Sequence, residues 1–338
     1  MTKTVKVTLA EVAAKAGVSK MTASRAFAQP GAVRAETRER VLAAAKRLGY
    51  VPDLIASAFS TKTTKVLGVV IPTLDVSTFS DTVRGISDAS AKAGYDILIG
   101  QTKYDDETED RVIQAFVGRR VDGLLMVASE RQADMKAFFR ERDLPVVQLW
   151  DIPKQPIDMV SGFLNRDAGK LAAKHVHAQG YSSAAVYHTD LYRDRQQADG
   201  FVWQAKKLGL AQVEKVLMPS LETHGRVSEF SAGHLVCKDI LGRTNRPRAI
   251  YCTDDSMAFS TYFELIEAGL RVPEHIALCG FNNAEYGQYM RPQLTTIDVD
   301  GYAMGTKATE MILTRLSGEP PHSGTHKTQL KLICGQTT

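Results

Sequence analysis

Residues 8–25 read Thr-Leu-Ala-Glu-Val-Ala-Ala-Lys-Ala-Gly-Val-Ser-Lys-Met-Thr-Ala-Ser-Arg. The stretch spells one short helix, a tight turn and a second short helix. Thr8 can cap the first helix with its hydroxyl. Leu9, Val12, Ala13 and Ala16 fall on one face at helical spacing. Gly17 supplies the permissive backbone that a sharp turn needs. Ser19 can cap the next helix, whose polar side presents Lys20, Met21, Thr22, Ser24 and Arg25. A helix-turn-helix uses such a helix to enter the major groove of DNA.

The charge distribution points the same way. Residues 1–62 hold 11 Lys and Arg against 4 Asp and Glu, a surplus of seven; the whole chain is +4, which leaves −3 on residues 63–338. A basic head on a mildly acidic body is the electrostatic footprint of a nucleic-acid-binding module joined to something else. The 338-residue length suits two or three domains, and the composition is that of an ordinary globular protein. Cys237, Cys252, Cys279 and Cys334 form no C-x-x-C pair, so neither a zinc site nor a disulfide framework is expected. The amino terminus has no apolar signal core, and no run approaches the ~20 apolar residues of a membrane span. The expected compartment is the cytoplasm.

Outward from the motif, residues 37–48 form a third amphipathic helix closed by Gly49. Residues 54–59 suit one short helix after Pro52-Asp53, and 60–65 are polar linker. From Lys65 the texture changes. Val66 to Pro72 is a fully apolar strand, followed by a helix at 81–93 and a strand at 95–100. Helices at 106–118 and 131–141 alternate with strands at 121–127 and 145–150. After 165 the series restarts: helices at 167–179, 194–208, 228–240 and 255–267, and strands at 184–188, 213–218, 248–252 and 275–280. A strand over 329–334 comes last. Apolar strands alternating with amphipathic helices mean parallel sheets covered on both faces. Two such series mean two doubly wound lobes, with ligands at the carboxyl ends of the strands.

These residues carry a resemblance. V-T-L-x-x-V-A-x-x-A-G-V-S-x-x-T-x-S-R at 7–25, T-R-x-x-V at 37–41, L-G-Y-x-P at 48–52, G-V-V-I-P at 68–72, V-D-G-L at 121–124, C-T-D-D at 252–255 and L-T-T-I at 294–297 resemble the LacI/GalR family of transcription regulators over essentially the full length. S-K-M-T at 19–22, residues 158–163 and G-Q-Y-M-R-P-Q-L at 287–294 resemble its gluconate-operon repressors. The resemblance implies an all-α helix-turn-helix head joined to an α/β, two-lobed, periplasmic-binding-protein-like effector domain. The expected boundaries are 1–50 for the DNA-binding domain, 51–64 for hinge helix and linker, and 65–338 for effector binding and dimerisation. The first lobe is expected over about 65–164 plus 295–325, the second over about 165–294 plus 326–338.

On the DNA side the resemblance assigns base reading to Lys20, Met21 and Arg25, chemistry that suits a guanine edge and a thymine methyl. Thr8, Ser19, Thr22, Ser24 and Thr37 are placed for phosphate contacts; the alternative for Thr22 and Ser24 is capping or solvating the helix. Arg34 replaces the family's serine cap, which removes a cap worth ~1 kcal/mol. The hinge segment includes Ala56 and Phe59; Phe59 stands where relatives wedge a leucine into the minor groove, the alternative being that it packs against the partner hinge without entering the DNA. The resemblance implies a homodimer, and a near-palindromic double-stranded operator then follows from two-fold symmetry. No leucine-heptad segment follows residues 329–334, so no tetramerisation helix is expected.

On the effector side the resemblance assigns Phe79, Asp151, Phe230, Asp254 and Asn282, with Ser129 beside Glu130 after the third strand. Gln197 replaces the family's usual arginine. Arg193 matches an arginine of the gluconate-type repressors and would pair with the carboxylate of a sugar acid; the alternative is an ion pair with Asp190 or Asp194. Arg195 lies beside it, and His188 is a weaker candidate. The expected effector is a sugar or sugar acid such as gluconate, releasing the operator. No cofactor, metal or catalytic residue is expected. Two rival classes share the lobes. A solute-binding protein would need a secretory signal and no basic head. A sugar-acid enzyme would need a catalytic motif, and G-x-S-x-G, the P-loop, H-E-x-x-H and the dinucleotide fingerprint are all missing from the sequence.

Overall fold

The computed structural model describes residues 7–338 apart from 29, 52–62, 75–76, 129–131, 220–221, 224–225, 228 and 320–323. The chain divides into two compact units, 1–65 and 66–338.

The first unit holds α1 (Leu9–Ala16), α2 (Lys20–Ala28) and α3 (Ala35–Leu48). Thr8 accepts the Glu11 N–H while the Glu11 carboxylate accepts the Thr8 N–H, a complete capping box. Gly17 turns the chain at φ 66°, a left-handed conformation that other residues adopt only at a cost. The Thr22 N–H donates to Ser19 Oγ and starts α2. α3 begins two residues before the expected Thr37, with Arg34 at its N-cap and no side-chain hydrogen bond there. Small side chains (Val12, Ala13, Ala16, Ala23, Ala26, Val41, Ala44 and Ala45) fill the core and let the three helices approach closely. Leu42 lies outside that core at 37% exposure.

The second unit begins with β1 (Val66–Ile71), α4 (Ser80–Lys92), β2 (Asp96–Gln101), α5 (Asp106–Gly118), β3 (Gly123–Val127), α6 (Gln132–Glu141), β4 (Val146–Leu149) and β5 (Met159–Gly162). It continues through α7 (Asn165–Ala178), β6 (Ser183–His188), α8 (Tyr192–Lys207), β7 (Gln212–Leu217), the hairpin β8 (Glu222–Thr223) and β9 (Arg226–Val227), and α9 (Glu229–Gly242). The remainder is β10 (Ala249–Cys252), α10 (Asp255–Glu267), β11 (Ala277–Cys279), α11 (Glu285–Tyr289), β12 (Thr296–Asp298), α12 (Gly301–Leu316), β13 (Thr325–Lys327) and β14 (Lys331–Ile333). Two parallel sheets result, in the orders β13-β5-β4-β3-β1-β2 and β11-β10-β6-β7. β12 and β14 pair antiparallel. β1, β3, β4 and β10 are nearly continuous buried apolar runs, as sheets covered on both faces require.

Three crossings join the lobes. The first lies between β5 and α7 and the second follows β11. The third lies further on than the expected boundary after residue 325. β13 pairs parallel with β5 in the first lobe, and the Thr328 N–H donates to the Gly162 carbonyl, so the chain leaves that lobe only after Thr328. Each lobe is closed by a helix pair that crosses at glycines. In the second lobe a Cβ at Gly169 would stand inside contact distance of the Gln197 carbonyl oxygen and 2.6 Å from the Phe201 nitrogen, both on α8. Among the described residues no helix is long and apolar enough to cross a membrane.

Candidate functional site

A cavity of about 410 Å³ opens at the carboxyl ends of the strands, in the size range of small-molecule sites. β1 contributes Ile71, β2 leads to Thr102 and Tyr104, and β4 leads to Trp150 and Asp151. The first crossing adds Asn165; the turn from β6 into α8 adds Asp190, Arg193 and Arg195. Both lobes therefore supply the wall at strand ends, where a doubly wound sheet places its ligands.

Aromatic packing fixes one side. Phe79 meets Trp150 edge-on at 5.0 Å, and Trp150 meets Phe163 at 5.9 Å. The Trp150 indole N–H donates to Thr82 Oγ1 at 3.1 Å. Trp150 sits at φ 70°, a conformation costly for a bulky residue. The Asn165 amide holds it there by donating to the Trp150 carbonyl.

The polar side carries two ion pairs. Arg193 Nε donates to Asp194 Oδ1 at 3.2 Å, and the guanidinium lies 5.4 Å from the Phe79 ring centre and 5.8 Å from that of Tyr104. Asp194 is fully buried and also accepts the Thr189 hydroxyl; burial pushes its carboxyl above the usual range and Arg193 opposes the rise. Arg195 pairs with Asp190 at 3.0 Å. Asp151 is likewise pushed up by burial, against the hydrogen bond it accepts from Asn165 at 3.2 Å. Behind it runs a buried chain: Tyr251 OH donates to Gln197 Oε1, Gln197 Nε2 to Asn165 Oδ1, and Asn165 Nδ2 to Asp151.

Of the residues expected at the effector site, Asp151, Arg193 and Arg195 line the cavity, and Phe79 packs behind it. The others go elsewhere among the described residues. Gln197 is fully buried in the chain to Tyr251. Asp254 caps α10 and accepts the Thr78 hydroxyl from the opposite lobe at 3.0 Å, while Asn282 donates to the Thr78 carbonyl. Phe230 lies with Phe259 and Tyr286 on the exposed face of the second lobe, because α9 packs along α10. His188 is buried and its ring nitrogen meets the Thr189 carbonyl; burial lowers its pKa. Ser129 and Glu130 lie outside the described residues. Thr102, Tyr104 and Asn165 were missed. The signal that finds them is position: each follows a strand of the first lobe's sheet.

Asp255, beside Asp254, is fully buried and accepts the Ala284 N–H and the Thr296 hydroxyl, each at 2.7 Å. Burial pushes its carboxyl from 3.8 up to about 7, against those hydrogen bonds. The folded state then holds a proton that the unfolded chain releases, so this contribution to stability is complete at low pH and fades as pH rises from 3.8 to about 7. Urea denaturation of wild type and Asp255→Asn across that range should show the variant gaining on the wild type with rising pH, then levelling. A difference constant with pH would contradict the assignment.

In the first unit, α2 turns Ala23 and Ala26 inward and leaves Lys20, Met21 (64% exposed) and Arg25 outside. Ser24 and Thr37 are half-buried, and Arg34 is exposed. The hydroxyls of Thr8, Ser19 and Thr22 are engaged in the caps of α1 and α2. Ala56 and Phe59 lie outside the described residues.

A basic helix-turn-helix unit followed by a bilobed α/β unit with a cavity at its strand ends defines a ligand-responsive DNA-binding regulator. Residues 8–53 match the family model for bacterial regulatory proteins of the lacI family, and residues 173–338 match the periplasmic binding protein-like domain. The structure of a LacI-family transcriptional regulator from Silicibacter pomeroyi is 30% identical, with a TM-score of 0.87 over 98% of this chain and 99% of that one. The HTH-type transcriptional regulator GntR of Escherichia coli strain K12 is 27% identical over 311 residues, 92% of each chain. A lac repressor dimer bound to operator and the anti-inducer ONPF shares the fold, with a TM-score of 0.83 at 24% identity over 98% of each chain. The chain belongs to the LacI family. It is a DNA-binding transcriptional regulator.

Proposed function

We propose that this regulator acts in the cytoplasm as the repressor of a sugar or sugar-acid utilisation operon. A homodimer binds a near-palindromic operator and is released by a small-molecule effector, gluconate or a related aldonate. The observation that carries the effector reading is Arg193, a guanidinium on the cavity wall between two aromatic rings, where a carboxylate can compete for it. Asp151 and Asn165 then take the hydroxyls. Lys20, Met21 and Arg25 read bases; Thr8, Ser19, Thr22, Ser24, Arg34 and Thr37 stand at phosphates; Ala56 and Phe59 contact DNA from the hinge, Phe59 as the wedge in the minor groove. The dimer would cover the exposed Leu98 and Ile99 of edge strand β2 and the exposed Phe263 and Ile266 of α10.

A second reading, a neutral polyol as effector, is favoured by the carboxylates of Asp106, Glu109, Asp151 and Asp190 on the same wall. Calorimetric titration with gluconate, glucose and nucleosides separates the two, paired with mobility shift on the upstream region of the neighbouring operon. The aldonate reading expects gluconate alone to bind and to release the DNA. Binding of neutral sugars or nucleosides without gluconate would sink it, while operator binding insensitive to every one of them would sink effector control itself.

A further inference from the structure

Lined by none of the residues of the effector cavity, a hollow of about 770 Å³ is enclosed by α7, α8 and the third crossing. Lys170 and Lys174 lie one turn apart on α7, and Lys327 comes from the crossing. Trp203 of α8 is 49% exposed, an unusual state for the largest aromatic side chain. Its ring centre lies 5.4 Å from Lys170 Nζ and 5.0 Å from Lys207 Nζ.

The charge there runs against that of the body. Asp167 is the single carboxylate lining the hollow among the described residues, and it holds Lys170 at 3.0 Å and Lys327 at 3.2 Å. Three ammonium groups against one carboxylate leave a local positive surplus, on a stretch (residues 63–338) that totals −3. A separate observation concerns Thr328, also on the lining. It is only 6% exposed, and its hydroxyl has no hydrogen-bond partner among the described residues. Buried hydroxyls are nearly always satisfied, and one left open marks a place where a partner is missing.

We propose that this hollow is a second ligand site that takes a mononucleotide, with the base on the Trp203 ring and the phosphate held by Lys170, Lys174 and Lys327. Every base has a π-face for an indole, so stacking asks for no particular sequence of hydrogen bonds. Lysines serve phosphate as flexible point charges, and the unpartnered Thr328 hydroxyl on the lining is a donor left for a phosphate oxygen. An acidic peptide would use the lysines and leave the ring idle. A ligand here ties the third crossing to the second lobe, so its binding and effector binding become linked.

Calorimetric titration of the full-length protein with AMP, adenosine, inorganic phosphate and hexaglutamate tests the site. AMP should bind more tightly than the other three. Trp203→Ala and Lys174→Gln should each weaken AMP about tenfold, the scale of a lost stacked base, and Trp203→Tyr should retain most of the affinity. Circular dichroism of the variants should be unchanged, since both side chains are on the surface. No AMP binding, or AMP binding that ignores these substitutions, overturns the proposal. So does phosphate, adenosine or hexaglutamate binding as tightly as AMP. The effector reading stands or falls separately, because none of these residues lines the effector cavity.

Discussion

Gly169→Val is expected to lower the midpoint of thermal unfolding by roughly 5–10 °C, from an overpacking cost of ~1–3 kcal/mol at its upper end and a few degrees per kcal/mol in a unit of this size. The obstacle is backbone. A Cβ at Gly169 meets the Gln197 carbonyl and the Phe201 nitrogen, and a Cβ at Gly200 meets the Arg166 carbonyl. α7 and α8 touch main chain to main chain at these two glycines, and neither helix has a side chain there that can rotate away. Forcing the helices apart also moves Gln197 off Asn165 and so loosens Asp151 at the cavity. Effector affinity should fall along with stability. Gly118→Ala is the control: nothing stands within 4 Å of its Cβ, and alanine at a helical position costs nothing. Equal unfolding midpoints for wild type and Gly169→Val would refute this account of the helix crossing.

Arg25→Ala is expected to lower the preference for operator over scrambled duplex by ~1–3 kcal/mol, the discrimination carried by one bidentate base contact. Arg25 is exposed on the outer side of α2, one turn beyond Met21, while Ala23 and Ala26 anchor the opposite side in the core. Removal of the side chain leaves that anchoring untouched, so the fold should survive. The quantity to measure is the ratio of the two affinities at one fixed salt concentration. Loss of any cation weakens all DNA binding to a similar degree through counterion release. An unchanged ratio with both affinities reduced would assign Arg25 to the phosphates instead.

The head was legible because its signals are local. The Thr8 cap, Gly17 and the Ser19 cap each act within four residues, so short-range chemistry suffices to place them. β1, β3, β4 and β10 were legible because burial on both faces forces an unbroken apolar run. β5 and α12 were not. β5 is four residues long, with Ser161 and Gly162 in half of it, and its hydroxyl finds its partners far along the chain, at the Met304 carbonyl and the His326 ring. α12 carries Gly301 and Gly305, which lower helix propensity and exist because Gly305 must pass close to the Thr82 backbone. At the cleft, Asp151 and Arg193, expected from the family resemblance, line the cavity. The place of Gln197 was not legible, because its partner Tyr251 comes from a strand more than fifty residues away. Phe230 depends on how two helices face one another, and no local pattern records that.

Thr78 joins the two halves of the second unit through both of its polar ends, its hydroxyl on the Asp254 carboxylate and its carbonyl on the Asn282 amide. Those partners sit on different loops, so bending one loop alone cannot surrender both bonds. Parting the halves therefore releases them together, as a clasp opens, and gives up ~2–4 kcal/mol of polar contact in a single event. A small molecule that props this clasp apart must prefer the parted form by at least that margin. Thr78→Val would lower the threshold, and weaker compounds would then work the regulator.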